Sequence, residues 1–437
     1  MIESSGFDGL SLLRGVLGMA AVLFIAWLFS TDRKRIDWRL VASGLFLQII
    51  MALSILYVPF VGIFFEYAGK IFVKLISFTQ EGVAFLLGPY ASRENGMVFL
   101  IHSLTSLVFF SALVSLFYHW GVIQRIVGAF SWLLRRALRG ISGAEGLVVA
   151  GNVFLGMTEA PVMIRNYIPA MNRSELFLIM VSGMGTIAGT VMGAYIGMLG
   201  GNDPSAQVFF AKHLLSASVM AAPAAIVFAR MIYPQTESVA VQVAAATKSE
   251  HKNAIEALAS GVSLGIKLMV NIAAMLLVFI ALVALVNYVF EGIIGRYTGL
   301  NGWVAAVTGG KAEGFTVQFM LGAVMSPLMW LTGVPADDMV TVGSLLGQKT
   351  VLNEFVAYFQ MQQWRGAGMF VYEKSVVMST YLLCGFANVA SVGMLVGGLS
   401  IMAPEKRSVI AGLGFKSMIA GTLVSILSAT IIGMISG

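Results

Sequence analysis

Two short runs place a carboxylate in the middle of apolar sequence. The first reads Gly151-Asn152-Val153-Phe154-Leu155-Gly156-Met157-Thr158-Glu159-Ala160-Pro161, and the second Lys349-Thr350-Val351-Leu352-Asn353-Glu354-Phe355-Val356-Ala357-Tyr358. An ionisable group in such surroundings is costly to insert and marks a functional site by default. Gly156 and Pro161 bracket Thr158 and Glu159, so a helix breaks there and frees backbone groups for a ligand. About 30 residues after each run comes a helix interrupted by small and polar residues: Thr186-Ile187-Ala188-Gly189-Thr190-Val191 after the first, Gly385-Phe386-Ala387-Asn388-Val389-Ala390-Ser391 after the second. The chemistry on offer is two carboxylates, the amides of Asn152 and Asn388, and several hydroxyls. That set suits a neutral, hydroxyl-rich molecule read by hydrogen bonds. The central runs hold no arginine clamp for phosphate or carboxylate. Lys349 and Arg165 lie five and six residues from the glutamates and either pair with them or sit near the surface. Phe386 either packs against a planar ring or fills ordinary helix packing. Asn152, freed carbonyls and the Thr186 hydroxyl offer oxygen ligands to a small hard cation.

The elements that must position these groups are membrane helices. Of 437 residues, 58% are apolar and 11% charged, whereas a soluble domain needs roughly a quarter charged to cover its surface. Apolar stretches of about 20 residues, the thickness of a bilayer, recur along the chain. They are continuous, unlike the alternating runs of a β-barrel. The formal charge of +6 does not indicate nucleic acid, because the basic residues sit at helix ends, as orientation signals do. One cysteine, Cys384, excludes an intramolecular disulfide framework. The first apolar run lacks a small-residue cleavage site after it and reads as a retained span.

Spans are expected near 9–30, 38–59, 97–119, 174–200, 206–232, 267–290, 374–402 and 408–435. The basic loops Asp32-Arg33-Lys34-Arg35 with Arg39, Arg135/Arg136/Arg139, Lys248/His251/Lys252 and Lys406/Arg407 belong on the cytoplasmic side. The loop Gly201-Asn202-Asp203-Pro204 and both termini then fall outside. Residues 60–88 mix charges with aromatics and read as a helix lying along the interface. Residues 142–170 and 314–360 are apolar with polar centres and should begin and end on one side, as re-entrant hairpins that line a transport path do. The expected fold is all-α and polytopic: eight transmembrane helices, two hairpins in an inverted repeat, and interfacial helices.

At these residues the chain resembles the concentrative nucleoside transporters in their bacterial, eight-span form. The resemblance covers nearly the whole chain. It rests on Gly-x-Thr-Glu-Ala-Pro at 156–161, Asn-Glu-Phe-Val-Ala-Tyr at 353–358, Phe-Ala-Asn-x-x-Ser at 386–391 and Gly82-Val83-Ala84-Phe85-Leu86-Leu87-Gly88 upstream, in that family's order. It implies a homotrimer in the bacterial inner membrane, with lipid and nucleoside as partners and a sodium ion or proton as coupling ion. It also divides the chain: scaffold and interfacial helix over 1–140, first hairpin and broken helix over 141–202, scaffold and interfacial helix over 203–310, second hairpin and broken helix over 311–403, and the last helix over 404–437. The hairpins and broken helices of known members form a mobile transport domain. The nucleobase would contact Met157, Thr158, Glu159 and Val191, and the ribose Glu354, Asn388 and Ser391, with Phe386 lining the same pocket. Sodium would sit at Asn152, Leu155, Thr186 and Ile187. Met157 stands where the family usually has glutamine, which replaces a two-sided amide reader with an adaptable thioether. Thr186 stands where sodium-coupled members often have serine and keeps the hydroxyl.

The leading reading is therefore a cation-coupled nucleoside symporter and not an enzyme. A carrier of a modified nucleoside, or a proton-coupled one using Glu159 or Glu354, is the alternative. A membrane-embedded hydrolase is distant, since His102, His119, His213 and His251 are scattered and no Ser-His pairing is suggested.

Overall fold

The computed structural model describes residues 9–91, 98–237, 251–312 and 314–435. Among these there is no β-strand. The helices, in chain order, are α1 (Gly9–Leu28), α2 (Trp38–Tyr57), α3 (Pro59–Leu87), α4 (Ser106–His119), α5 (Val122–Ala137), α6 (Gly143–Gly151), α7 (Arg173–Gly185), α8 (Gly189–Gly200) and α9 (Pro204–Ile232). Then come α10 (Ala254–Asn287), α11 (Arg296–Thr298), α12 (Leu300–Val307), α13 (Val317–Leu331), α14 (Met339–Val351), α15 (Glu354–Gly366), α16 (Glu373–Leu383), α17 (Val389–Met402) and α18 (Arg407–Ile435).

Eight described stretches are long and apolar enough to cross a membrane. Seven overlap expected spans. The eighth contains α3, the segment read from sequence as interfacial, and the expected span 374–402 is instead the pair of short helices α16 and α17. The span expected at 267–290 begins earlier, at Ala254, where Asn253 caps the helix through the Glu256 amide. Lys248 lies outside the described residues.

Both expected hairpins are present, with different second arms. In the first, α6 is followed by turns and two 3-10 segments, Ala160–Ile164 and Ile168–Ala170, each with proline in its first turn. In the second, α14 and α15 are separated by Leu352 and Asn353, and the second arm runs to Gly366. Both following helices are broken where expected, α7 from α8 at residues 186–188 and α16 from α17 at residues 384–388.

Small residues set the packing, as close helix approach in a membrane requires. A Cβ on Gly261 or Gly265 of α10 would lie 2.6 Å from the Ser111 carbonyl oxygen and 2.5 Å from the Val108 Cα of α4. α18 threads the centre of the molecule. Its Gly421 meets Met184 and Gly185 at the end of α7, and its residues are mostly buried. A fully buried ion pair, Arg230 of α9 with Glu145 of α6 at 2.6 Å, ties the first hairpin down, while Glu145 also closes a capping box with Ser142. α10, by contrast, leaves most of its apolar side chains exposed.

Candidate functional site

The two broken helices cross at their breaks. The Phe386 amide donates to the Thr186 carbonyl at 3.2 Å. A Cβ on Gly385 would lie 3.0 Å from the Met184 carbonyl oxygen, so only a residue without a side chain lets the unwound segments approach this closely. The first hairpin joins the same crossing through the Gly189 amide, which donates to the Phe154 carbonyl at 3.1 Å.

On the side of the second hairpin, Asn353 caps α15 by accepting from the Val356 amide at 2.9 Å, which puts Glu354 in the first helical turn. Asn388 does the same for α17: its side-chain oxygen accepts from the Ser391 amide at 2.8 Å. That cap turns the amide nitrogen of Asn388 toward Glu354, and it donates to Oε2 at 2.9 Å. Tyr195 Oη donates to the other carboxylate oxygen at 2.9 Å. Glu354 is 3% exposed, and Asn388, Ser391 and Tyr195 are buried with it. Each carboxylate oxygen accepts more than one hydrogen bond, so capacity remains for a ligand hydroxyl. Phe386 is half-buried beside this group in sequence.

On the side of the first hairpin, Thr158 is exposed, with its methyl carbon 3.4 Å from where a Cβ on Gly398 would stand. Glu159 is half-buried and folds back to accept from the Gly156 amide at 3.2 Å. Met157 is buried, its Cβ pressed on Gly183 of α7. Val191 is buried in the first turn of α8, one helical turn before Tyr195. Residues four apart share a helix face, and α8 runs from the first hairpin, which its Gly189 amide meets, to Glu354, which its Tyr195 meets.

The cation candidates also gather. The Asn152 amide nitrogen donates to Ser182 Oγ at 2.8 Å, and Thr186 Oγ1 donates to the Ser182 carbonyl at 2.9 Å. Asn152 is 0% exposed, and its side-chain oxygen has no hydrogen-bond partner. A buried oxygen left unsatisfied is costly, and a hard cation is a fitting partner for it. Leu155 and Ile187 are buried alongside, where their carbonyls could contribute. The donor set of amide, hydroxyl and backbone oxygens suits an alkali ion better than a transition metal.

Two site members carried no signal in the sequence. Tyr195 and Ser182 are an aromatic and a small hydroxyl residue in apolar helices, which ordinary packing explains equally well. Lys349 corrects a sequence alternative: it is buried but pairs with neither glutamate, donating instead to the Leu382 carbonyl at 2.9 Å and Ser425 Oγ at 3.0 Å. A cavity of about 910 Å³ lies elsewhere, between α10–α13 and the second hairpin, with Asn287, Trp303, Thr341 and Trp364 among its lining. None of the residues singled out from the sequence lines it.

Two hairpins meeting two broken helices around buried polar groups define the class of secondary transporters. Residues 213–433 match the model of the Na+ dependent nucleoside transporter C-terminus, 17–90 that of its N-terminus, and 100–202 one described as nucleoside recognition. The nucleoside permease NupC of Helicobacter pylori is 35% identical over 435 residues, 98% of each chain. CNTnw in an inward-facing substrate-bound state superposes with a TM-score of 0.86 at 37% identity, covering 97% of both chains. A CNTnw variant in an outward-facing state gives 0.88 at 37%, over 98% of this chain and 99% of that one. The chain belongs to the Na+ dependent nucleoside transporter family, whose members here are transporters and not enzymes.

Proposed function

We propose that the chain carries nucleosides into a bacterial cell together with sodium, as a homotrimer of the inner membrane with both termini outside. The observation that supports it most directly is Glu354, a carboxylate held by Tyr195 and Asn388 where half-helices from both repeats converge. Its free lone pairs would accept the ribose hydroxyls, while Asn388, pinned as a helix cap, keeps the carboxylate aimed. Thr158 and Glu159 would read the base edge directly or through water, with Val191 and Met157 as apolar walls. Sodium enters as a co-substrate. The orphan oxygen of Asn152, the Thr186 hydroxyl and the carbonyls of Leu155 and Ile187 would hold it, and it would bind the first hairpin to the first broken helix. Alternating access follows when the hairpins and half-helices move as a body past α4 and α10.

Uptake of radiolabelled uridine and adenosine into proteoliposomes, under separate sodium and proton gradients, tests this reading. Uptake should rise with inward sodium at fixed pH and be lost in Asn152→Ala. Uptake that follows a pH gradient and ignores sodium would instead assign coupling to a proton.

A further inference from the structure

The two halves of the inverted repeat treat one location differently. In the first half, α6 ends at Gly151 and the next side chain, Asn152, reaches the C-terminal end of half-helix α7, at Ser182. In the second half, the last turn of α14 sends Lys349 to the C-terminal end of half-helix α16, where its ammonium donates to the Leu382 carbonyl at 2.9 Å. Leu382 lies one residue before that helix ends. Carbonyls at a helix C-terminus have no intrahelical partner and carry partial negative charge. In the first half the Ser182 carbonyl takes the Thr186 hydroxyl, and the neutral amide of Asn152, bonded to Ser182 Oγ, has its oxygen left over. The second half meets this charge with a cation.

Lys349 is 0% exposed, and among the described residues no carboxylate forms an ion pair with it. An ammonium so placed is expensive unless hydrogen bonds and local dipoles compensate it. Here the compensation is the end of α16 and the Ser425 hydroxyl of α18 at 3.0 Å. α18 therefore reaches both half-helix ends, directly through Gly421 at α7 and by way of Lys349 through Ser425 at α16.

We propose that Lys349 is a resident cation, filling in the second repeat the place that the coupling ion takes in the first, so that each cycle carries a single sodium. This rests on the assignment of sodium to Asn152. Removing the amine while supplying an amide oxygen, as in Lys349→Gln, leaves the Leu382 carbonyl and Ser425 Oγ beside an oxygen ligand, the same donor types as around Asn152. A second sodium should then bind there. A lysine that only fills space makes no such prediction.

The test measures uridine binding to the purified full chain by titration calorimetry across sodium chloride concentrations, with choline chloride holding ionic strength constant. Wild type and Lys349→Arg should depend on sodium to first order, and Lys349→Gln to second order with weakened uridine binding at low sodium that high sodium restores. Equilibrium dialysis with radioactive sodium should find one ion per wild-type protomer with uridine bound. First-order dependence in Lys349→Gln, or uridine binding that no sodium concentration restores, would overturn the proposal. If Lys349→Gln does not fold, the wild-type dialysis decides, and two ions per protomer would overturn it. A wild type that binds uridine with no dependence on sodium would fail the Asn152 assignment first, and the lysine proposal with it.

Discussion

Glu354 accepts from Tyr195 and Asn388 in a buried setting, and each charge-assisted hydrogen bond lost there costs about 1.5 to 3 kcal/mol. Glu354→Gln should therefore weaken every nucleoside roughly ten- to a hundredfold, whatever its base. Tyr195→Phe removes one neutral donor but leaves the carboxylate, and its rings remain packed on Phe355 and Tyr358 at 4.6 and 4.7 Å. By the same scale it should weaken binding by about 1.5 kcal/mol, again independently of base. Binding isotherms with uridine and adenosine check both, and a base-dependent loss in either variant would contradict the ribose assignment. The glutamates and asparagines were legible in the sequence because a charged or amide group inside an apolar run demands an explanation. Tyr195 was not, because a tyrosine in a membrane helix demands none until its hydroxyl is seen on a carboxylate. Met157 tests the other half of the site. It lacks the donor and acceptor of an amide, so Met157→Gln should shift preference toward uridine by about 1 kcal/mol in competition assays. Its Cβ already presses on Gly183, and an unchanged base ranking would mean that its side chain ends away from the base.

At the scale of elements, helix breaks were predictable from glycine, proline and polar residues in apolar runs, and both fall where expected. The way the breaks touch was not predictable, because it depends on two segments about 200 residues apart meeting backbone to backbone, Phe386 on Thr186. Gly189 shows how tight that junction is: a Cβ there would lie 2.7 Å from the Phe154 carbonyl oxygen, which is backbone and cannot rotate away. Gly189→Val should thus separate the first hairpin from α8 and abolish sodium-dependent uridine binding. Assembly should survive, since the clash is with the Phe154 carbonyl of the first hairpin alone, and size-exclusion chromatography with light scattering would report it. A variant that binds uridine with wild-type sodium dependence would show that the junction is not part of the site. The interfacial reading of residues 60–88 depends on charge, not on length. α3 has the length and apolarity of a span, yet Lys70, Lys74 and Glu81 are exposed along it, and Lys70 pairs with Glu66 at 2.7 Å on an open face. Charges facing lipid in mid-bilayer are costly, whereas at the interface they reach water.

For the whole molecule, the placement of α3 decides the topology. If α3 lies along the outer surface, α1 enters, α2 returns, and α4 enters again, so Arg33 and Arg136 share the cytoplasmic side and Asp203 is outside. If α3 crosses, every later element reverses, and Arg136 moves opposite to Arg33 while Asp203 joins it. The basic loops favour the first arrangement, because Arg33–Arg35 and Arg135, Arg136 and Arg139 are the strongest orientation signals in the first third of the chain. The chain is well suited to the experiment, since its single cysteine, Cys384, is buried between α9 and α16 and should react slowly. Cysteines introduced one at a time at positions 33, 136 and 203, in intact cells and in inverted vesicles, would be labelled by a membrane-impermeant maleimide from one side only. Labelling of 33 and 136 from the cytoplasmic side and 203 from outside is the expected pattern. It would also orient the second hairpin toward the outside and the first toward the cytoplasm, the opposition that an inverted repeat needs to expose one site to each side in turn. Opposite labelling of 33 and 136 would put α3 through the bilayer and the two termini on different sides.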